Sequence, residues 1–387
     1  FPIVSIVLSL KAIALKPELL ERYGVKDRLL FSEADYRNLG NCRFVKEHFP
    51  SQSPELDMLY ALFLMVYRNL KQPENTMFSI LDAVICQPEI NKDNFANEWI
   101  DKYGAKYSAD RKRLLKGPNI SKYYIPEGTN VIESYAFKKC ENLQSIVIPD
   151  SVTQIGDGTF LYCYGLQSIV IPNSVTQIGK SAFLGCISLQ SFVIPDSVTQ
   201  IGDSAFYNCD SLQSIVIPDS VTQIGYDAFY DCDSLQSIVI PDSVTHIGYN
   251  IFTKCNKLLS ITVAKVNKKY DSRDNCNAII ETASNELIVG CATTRIPDTV
   301  TRIGYCAFGK CENLQSIVIP NSVTQIGDSA FYDCVSLQSI GIPDSVTHIG
   351  DDAFSFCISL QSIGIPKGSK EKFQKLLPEH KHLLHEQ

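Results

Sequence analysis

Apolar residues recur with a fixed period of 23 residues over most of the chain, in a unit typified by LQSIVIPDSVTQIGDSAFYNCDS. Each unit contains one Ile-Pro pair. The prolines of these pairs are Pro126, Pro149, Pro172, Pro195, Pro218, Pro241, Pro297, Pro320, Pro343 and Pro366. The interval from Pro241 to Pro297 is 56 residues, which is two units plus ten residues, so one unit is irregular and carries an insertion. Repeats of this length predict stacked supersecondary units.

Within a unit, one stretch alternates between apolar and outward positions. Leu143, Ile146 and Ile148 have the spacing of the buried side of a short strand. The intervening Ser145 and Val147 are then expected to point outward, because successive side chains of a strand point to opposite faces. The alternation predicts one strand in each coil of a solenoid.

A second set of apolar positions holds Phe and Cys, three residues apart. One coil cannot close its own core, so stacking predicts ladders of identical buried side chains. The predicted structural ladders include Phe137, Phe160, Phe183, Phe206, Phe229, Cys140, Cys163, Cys186, Cys209 and Cys232. A cysteine at one fixed phase behaves as a small hydrophobic residue. We therefore interpret these cysteines as reduced thiols rather than as a disulfide framework.

The repeated unit resembles the BspA-like branch of the leucine-rich-repeat superfamily. The resemblance rests on IPDSVTQIGDSAFYNCDSLQSI and its copies, from about Tyr124 to Pro366. The segment YDSRDNCNAIIETASNELIVGCATTRIPDTVTRIG and the tail IPKGSKEKFQKLLPEHKHLLHEQ also look like an insertion and an ending found in Bacteroidetes members.

What the resemblance implies is a leucine-rich-repeat solenoid on a secreted or cell-surface protein. Such a protein would bind host or bacterial proteins, including matrix proteins such as fibronectin and fibrinogen. A cytoplasmic location is the alternative, given the expected reduced thiols and the lack of a visible signal peptide.

The periodic and aperiodic parts together predict an α+β protein with three regions. These are a helical domain of unknown role (1–104), the solenoid (105–368), and a capping helix with a tail (369–387). The solenoid is expected to start with a hairpin at 105–118 and to be interrupted by the insertion at 266–294.

Helix signals in the first region include Phe95 and Trp99, which have the spacing of one helix face. The insertion has the same strand–turn–strand pattern as the starting hairpin, so we expect the two to be equivalent elements.

Composition and charge exclude two classes of function. The net charge of −7 argues against a nucleic-acid partner, because binding to a phosphate backbone needs a basic surface. No apolar run reaches the roughly 18 residues of a membrane span.

Candidate chemistry is sparse. His246 and His348 take the place of a repeated Gln, which indicates a tolerant surface position. Cys42 with His48 is a conceivable nucleophile and base, but no neighbouring residue would orient the pair. We therefore predict no enzyme activity, no cofactor and no metal site.

Two short segments leave alternatives open. Cys276, Cys291 and Cys306 lie off the ladder and would allow one disulfide in an extracellular protein, although they lack zinc spacing. The segment DSRDNCN offers oxygen ligands for calcium but lacks the EF-hand pattern, so a polar turn is favoured. The tail residues His380, His382 and His385 are interpreted as solvated rather than metal-binding.

The outward side of the repeated strand is the predicted partner-binding face, because it is nearly uncharged and bears a row of valines. Its residues are Ser145, Val147, Ser168, Val170, Ser191, Val193, Ser214, Val216, Ser237, Val239, Ser316 and Val318. The preferred hypothesis is a non-enzymatic adhesion or interaction protein that binds a protein partner here. The alternative is an effector whose helical N-terminal domain acts while the repeats select the partner.

Overall fold

The computed structural model describes residues 98–387, and it confirms a leucine-rich-repeat solenoid there. Each regular coil contains a longer strand over the Ser-Ile-Val positions and a two-residue strand over the Gln-Ile positions. The longer strands are β4 (Lys122–Tyr124), β6 (Ser145–Val147), β8 (Ser168–Val170), β10 (Ser191–Val193), β12 (Ser214–Val216), β14 (Ser237–Ile240), β16 (Ser260–Val263), β21 (Ser316–Val318), β23 (Ser339–Gly341) and β25 (Ser362–Ile365). The short strands are β5 (Val131–Ile132), β7 (Gln154–Ile155), β9 (Gln177–Ile178), β11 (Gln200–Ile201), β13 (Gln223–Ile224), β15 (His246–Ile247), β20 (Arg302–Ile303), β22 (Gln325–Ile326) and β24 (His348–Ile349).

Successive coils stack in register. Paired strands of both series run parallel, and Ile146 lies opposite Ile169 just as Gln200 lies opposite Gln223. Register is fixed because slipping by one residue would turn the buried isoleucines outward. The repeat period therefore becomes a spatial ladder along the solenoid.

The phenylalanine ladder forms the spine of the core. Neighbouring rings from Phe137 to Phe252 and from Phe308 to Phe354 stack with centroids 5.1–5.7 Å apart. Between Phe137 and Cys140 the chain makes a tight turn, closed by a hydrogen bond from the Cys140 N–H to the Phe137 carbonyl at 3.0 Å. The spine thus alternates with turns that bring each cysteine back into the core.

The ladder cysteines have a polar role as well as an apolar one. The thiol of Cys209 donates to the carbonyl of Phe183 in the preceding coil, with Sγ and O 3.3 Å apart. The same contact recurs from Cys163 to Cys357 wherever two regular coils stack. The Phe183 carbonyl also accepts the N–H of Cys186 at 3.1 Å, so the thiol adds a second hydrogen bond to a buried carbonyl that is already paired.

The solenoid begins with an antiparallel sheet made of β1 (Glu98–Ile100), β2 (Lys106–Ser108) and β3 (Arg113–Lys116). The helix predicted around Phe95 and Trp99 is wrong at Trp99, which lies in β1 with its ring 5.1 Å from that of Tyr107. Aromatic residues fit a half-buried strand well, and pairing with β2 outweighs the helical spacing. The rest of the predicted helical domain, residues 1–97, lies outside the described residues.

The insertion consists of β17 (Tyr270–Asp271), a 3₁₀ turn (Arg273–Asn275), β18 (Ala278–Glu281) and β19 (Glu286–Gly290). It divides the core in two. Ile279 and Val289 pack into the core that precedes it, whereas Ile280 and Leu287 pack into the core that follows. The hairpin of β18 and β19, which we call the septum, is buried on both sides because its side chains pack into both cores.

The septum and the starting hairpin are equivalent. The last strand of each pairs parallel with the next short strand, β3 with β5 and β19 with β20. Gly117 and Gly290 occupy matching places: each N–H donates to the carbonyl of an alanine at 2.8 Å, and each Cα lies against the ring of the following phenylalanine. Each hairpin therefore closes one end of a core and starts the stack that follows.

The last coil is covered by α1 (Lys370–Leu376), a 3₁₀ helix (Pro378–Leu383) and β26 (Leu384–Glu386). Phe373 of α1 is fully buried, and β26 pairs parallel with β25. Leu384 is only 6% exposed, whereas His382 and His385 on either side of it are exposed, as expected for solvated histidines. An added strand satisfies the open edge of the last coil better than a helix alone.

Candidate binding faces

The outer side of the longer strands carries an exposed apolar stripe. Val193, Val216 and Val239 are 47%, 72% and 58% exposed on three successive coils. The serines two residues before each of them are also exposed. Neighbouring strands lie about 4.8 Å apart, so these valines form a continuous row, which we call the valine stripe.

The first two coils do not contribute to this exposed face. Val147 and Val170 are only 4% and 7% exposed, and Ser145 is buried as well. Tyr124 pairs with Val147 on the adjacent strand and is itself 8% exposed. The expectation that all twelve face residues point into solvent is therefore wrong at these coils, because exposure depends on what packs across a strand and not on its alternation.

The valine stripe also ends where the repeat changes. Thr262 replaces valine on β16, and Val318, which is 82% exposed, stands alone beyond the septum. The last two coils have Gly341 and Gly364, and a Cβ on Gly364 would meet the side chain of Gln387. The exposed face is thus a patch of three coils with one separate valine.

A groove over the short strands is a second candidate face, which the repeat pattern alone did not reveal. It has a volume of about 640 Å³ and follows four successive coils from Gln177 to Gly248. Gln200 and Gln223 lie on its floor, and Tyr270 and Glu281 of the insertion close one end. The repeated polar Thr-Gln pair could have identified the short strands as an exposed face. The closed end of the groove could not be predicted, because it depends on where the insertion folds.

Three exposed tyrosines form a cluster, and the first of them, Tyr226, also lines the groove. They follow the Ile-Gly pair of their coils, and Tyr226, Tyr249 and Tyr305 are 54%, 58% and 45% exposed. Ring centroids are 5.8 Å apart for the first pair and 5.5 Å apart for the second. Tyr249 and Tyr305 are 56 residues apart in sequence, so only the folded insertion brings them together. We call this set the tyrosine ladder.

The thiols are placed for structure rather than for reaction. Among residues 98–387 every cysteine is unpaired, and no disulfide joins Cys276, Cys291 or Cys306. Burial raises the pKa of four core thiols well above the usual value. These are Cys186, Cys209, Cys232 and Cys255. A thiol is reactive as its thiolate, so these groups are poorly suited to nucleophilic or redox chemistry.

The segment that offered calcium ligands is a salt-bridged turn. Arg273 donates to both oxygens of Asp271, at 2.7 and 2.6 Å, and Thr282 donates to the same carboxylate. Within the described part of the chain, no group of three His, Cys, Asp or Glu side chains could hold a metal. The hydrogen bonds of Asp271 give the polar turn a structural explanation.

The histidines are dispersed. His246 and His348 lie on separate short strands at exposed positions, and His380 contacts Phe354 at a centroid distance of 6.2 Å. The pair Cys42 and His48 lies outside the described residues. Across residues 98–387 no helix has the length and hydropathy needed to cross a membrane.

Comparison with known proteins agrees with the repeat geometry. The family model described as a BspA type leucine rich repeat region matches residues 111–205, 176–283 and 289–377. A leucine-rich-repeat protein of Eubacterium ventriosum is 25% identical with a TM-score of 0.53, over 73% of this chain and 72% of that one. The pneumococcal vaccine antigen PcpA is 18% identical with a TM-score of 0.56, over 70% and 82% of the two chains.

A leucine rich cell surface protein of Faecalibacterium prausnitzii is 27% identical over 73% of this chain and 98% of that one, with a TM-score of 0.48. A search of curated proteins found no match. Because the family model covers most of the length, the chain belongs to the BspA-type leucine-rich-repeat family.

Proposed function

We propose that this chain is a non-enzymatic protein that binds a protein partner through the valine stripe. The observation that carries the proposal is the exposure of Val193, Val216 and Val239 on successive coils. Exposed apolar rows of this kind mark interaction sites more often than isolated apolar residues do.

The surroundings of the valine stripe suit a protein surface. Its neighbours on the same strands are serines and glutamines, so a partner would bury apolar area within a ring of uncharged hydrogen-bonding groups. Protein interfaces have this arrangement of an apolar centre and a polar rim. The valines alone offer no pocket for a small molecule.

Matrix adhesion and a surface location are the finer parts of the proposal. Both derive from membership of the BspA-type family. We propose fibronectin or fibrinogen as the partner class, with the protein secreted or held at the cell surface. Digestion of intact source cells with an external protease tests the location, because an intracellular chain would survive it.

The binding test compares two kinds of valine variant in the full chain. Val216→Asp combined with Val239→Asp places two charges in the valine stripe, and we expect at least about tenfold weaker binding to immobilised fibronectin or fibrinogen. Val318→Asp is the control, since Val318 is even more exposed, at 82%, but isolated from the valine stripe. Binding that is absent in the unaltered protein, or unchanged in the double variant, would contradict the proposal.

The alternative effector function assigns the activity to residues 1–104. In that case the repeats still select the partner, so substitutions before residue 98 should keep binding in surface plasmon resonance but abolish the effect of the protein on its bound partner. The valine-stripe proposal predicts no such separate effect.

A further inference from the structure

The tyrosine ladder is unexplained by folding. The residue after the Ile-Gly pair is Asp157, Lys180, Asp203, Asp328 or Asp351 in other coils, and those coils close equally well. Aromatic side chains at this solvent-facing place therefore gain nothing from the core. Three of them on adjacent coils, each about half exposed, form a concentrated aromatic surface. Exposed Tyr is enriched where a protein binds something else.

The three rings do not form a parallel stack. Tyr226 and Tyr249 are inclined at 35°, whereas Tyr249 and Tyr305 are inclined at 76°. Each ring is nevertheless about half exposed, so part of its surface is open to a ligand. The electron-rich faces of aromatic rings attract cations, most strongly when several rings surround one charge.

Acidic side chains accompany these rings. Asp203 and Asp328 flank the tyrosine ladder at the same repeat position, and Asp227 lies next to Tyr226 in sequence. The pKa of Tyr305 is raised, chiefly by its hydrogen bond and interaction with Cys306, and further by the charges of Asp227 and Asp328. Both carboxylates therefore lie close enough to act on the third ring of the ladder.

The negative charge of this surface is only partly balanced. Lys180 pairs with Asp203 at 2.9 Å. Among the described residues, neither Asp227 nor Asp328 has an ion pair, and Arg302, which lies three residues before Tyr305 in sequence, pairs with Glu286 at 3.7 Å. The surface therefore has two uncompensated carboxylates beside three exposed rings.

We propose that the tyrosine ladder and its two carboxylates bind an extended segment of a partner protein that carries arginine or lysine. Successive ring centroids are 5.8 and 5.5 Å apart, so the three rings together span at most about 11 Å. That distance is the length of about three extended residues. Arginine fits best, because its planar guanidinium stacks on rings and also pairs with carboxylates. This surface is separate from the valine stripe, so it does not depend on the function proposed above.

The test uses nine-residue peptides with a fluorescent label, in which glycine alternates with arginine, glutamine or glutamate. Binding to the full chain is followed by fluorescence anisotropy at low and at high salt. We expect saturable binding of the arginine peptide alone, and we expect it to weaken with salt because exposed charges are screened.

Three variants assign that binding to the site. Tyr249→Ala should weaken it about two- to fivefold, the effect of one exposed cation–π contact, and Tyr249→Phe should restore it. Asp227→Asn combined with Asp328→Asn should weaken binding further and reduce its salt dependence. Circular dichroism of each variant checks that the fold is retained.

Two controls separate a local site from general attraction to an acidic protein. Asp219→Asn with Asp242→Asn removes the same net charge from exposed turns elsewhere. Tyr135→Ala removes a tyrosine that is 54% exposed, like Tyr226, but outside the tyrosine ladder. Equal losses in control and site variants would overturn the proposal, as would absence of arginine-peptide binding. Binding of the neutral glycan cellohexaose that depends on Tyr249 would also overturn it, in favour of a glycan site.

Discussion

Gly290 is the position where the septum most constrains the stack. A Cβ there would lie 2.2 Å from Cε1 and 2.6 Å from Cζ of Phe308. Phe308 is 1% exposed and stacks on Phe331 at 5.1 Å, so its ring cannot move aside without disturbing the spine. Gly290→Ala must instead shift β19 and strain the hydrogen bond from the Gly290 N–H to the Ala307 carbonyl.

The expected cost follows from two terms. Overpacking of a filled core costs typically about 1–3 kcal/mol. Loss of one buried hydrogen bond adds about 1 kcal/mol. We therefore expect Gly290→Ala to lower the free energy of unfolding by about 2–4 kcal/mol. Gly341→Ala is the matched control, since a Cβ on Gly341 would meet nothing within 4 Å. That change should be neutral or stabilise by up to about 1 kcal/mol, because alanine restricts the unfolded chain.

Urea unfolding followed by far-ultraviolet circular dichroism measures both variants in the full chain under reducing conditions. Gly117→Ala offers a repeat of the experiment, because its Cβ would lie 2.0 Å from Cε1 of Phe137. Equal urea midpoints for Gly290→Ala and Gly341→Ala would refute the close approach as a packing constraint.

Three further predictions concern the thiols and the divided core. Cys209→Ala should cost about 1–3 kcal/mol in the same assay, because it removes packing volume and one of the two hydrogen bonds to the buried Phe183 carbonyl; stability equal to the unaltered protein would contradict this. Burial raises the pKa of the four core thiols in the folded state, so their stabilisation is complete below the unfolded thiol pKa of about 8.5 and is lost as the pH rises above it. The free energy of unfolding should therefore decrease as the pH is raised from 7.5 to 9.5, by up to about 1.4 kcal/mol per thiol and pH unit. A flat profile would count against this prediction. Trp99 is the single tryptophan and belongs to the first core, so for Gly290→Ala its fluorescence should change at higher urea than the dichroism does; coincident curves would mean that the septum does not divide the cores energetically.

The repeat made the solenoid predictable to an unusual depth. Phe137 and Cys140 could be placed in the core because the same residues return in each regular coil, and only in-register stacking buries them all. The starting hairpin and the septum could likewise be matched from sequence, since both contain strand–turn–strand segments before an Ile-Pro unit. Period and residue type were sufficient where each coil contacts only its neighbours.

Prediction failed where contacts cross between unlike segments. Trp99 has helical spacing from Phe95, but its place is set by Tyr107 on the neighbouring strand. Short apolar segments do not distinguish helix from strand by periodicity alone. The burial of Val147 and Val170 was missed for a similar reason, because alternation predicts the side of a strand and not what covers it.

The two candidate faces differ in what would explain them apart from binding. Most coils have valine at the position equivalent to Val216, and a β-branched residue suits a strand even without a binding partner. Tyr249 has no such explanation, because it lies at a solvent-exposed turn position where other coils carry aspartate or lysine. An apolar choice at a solvent position is informative only when packing does not already favour it. By that criterion the exposed valines are partly explained by strand formation alone. The tyrosine ladder departs from the repeat without a gain in packing, so it is the stronger indication of a specific partner.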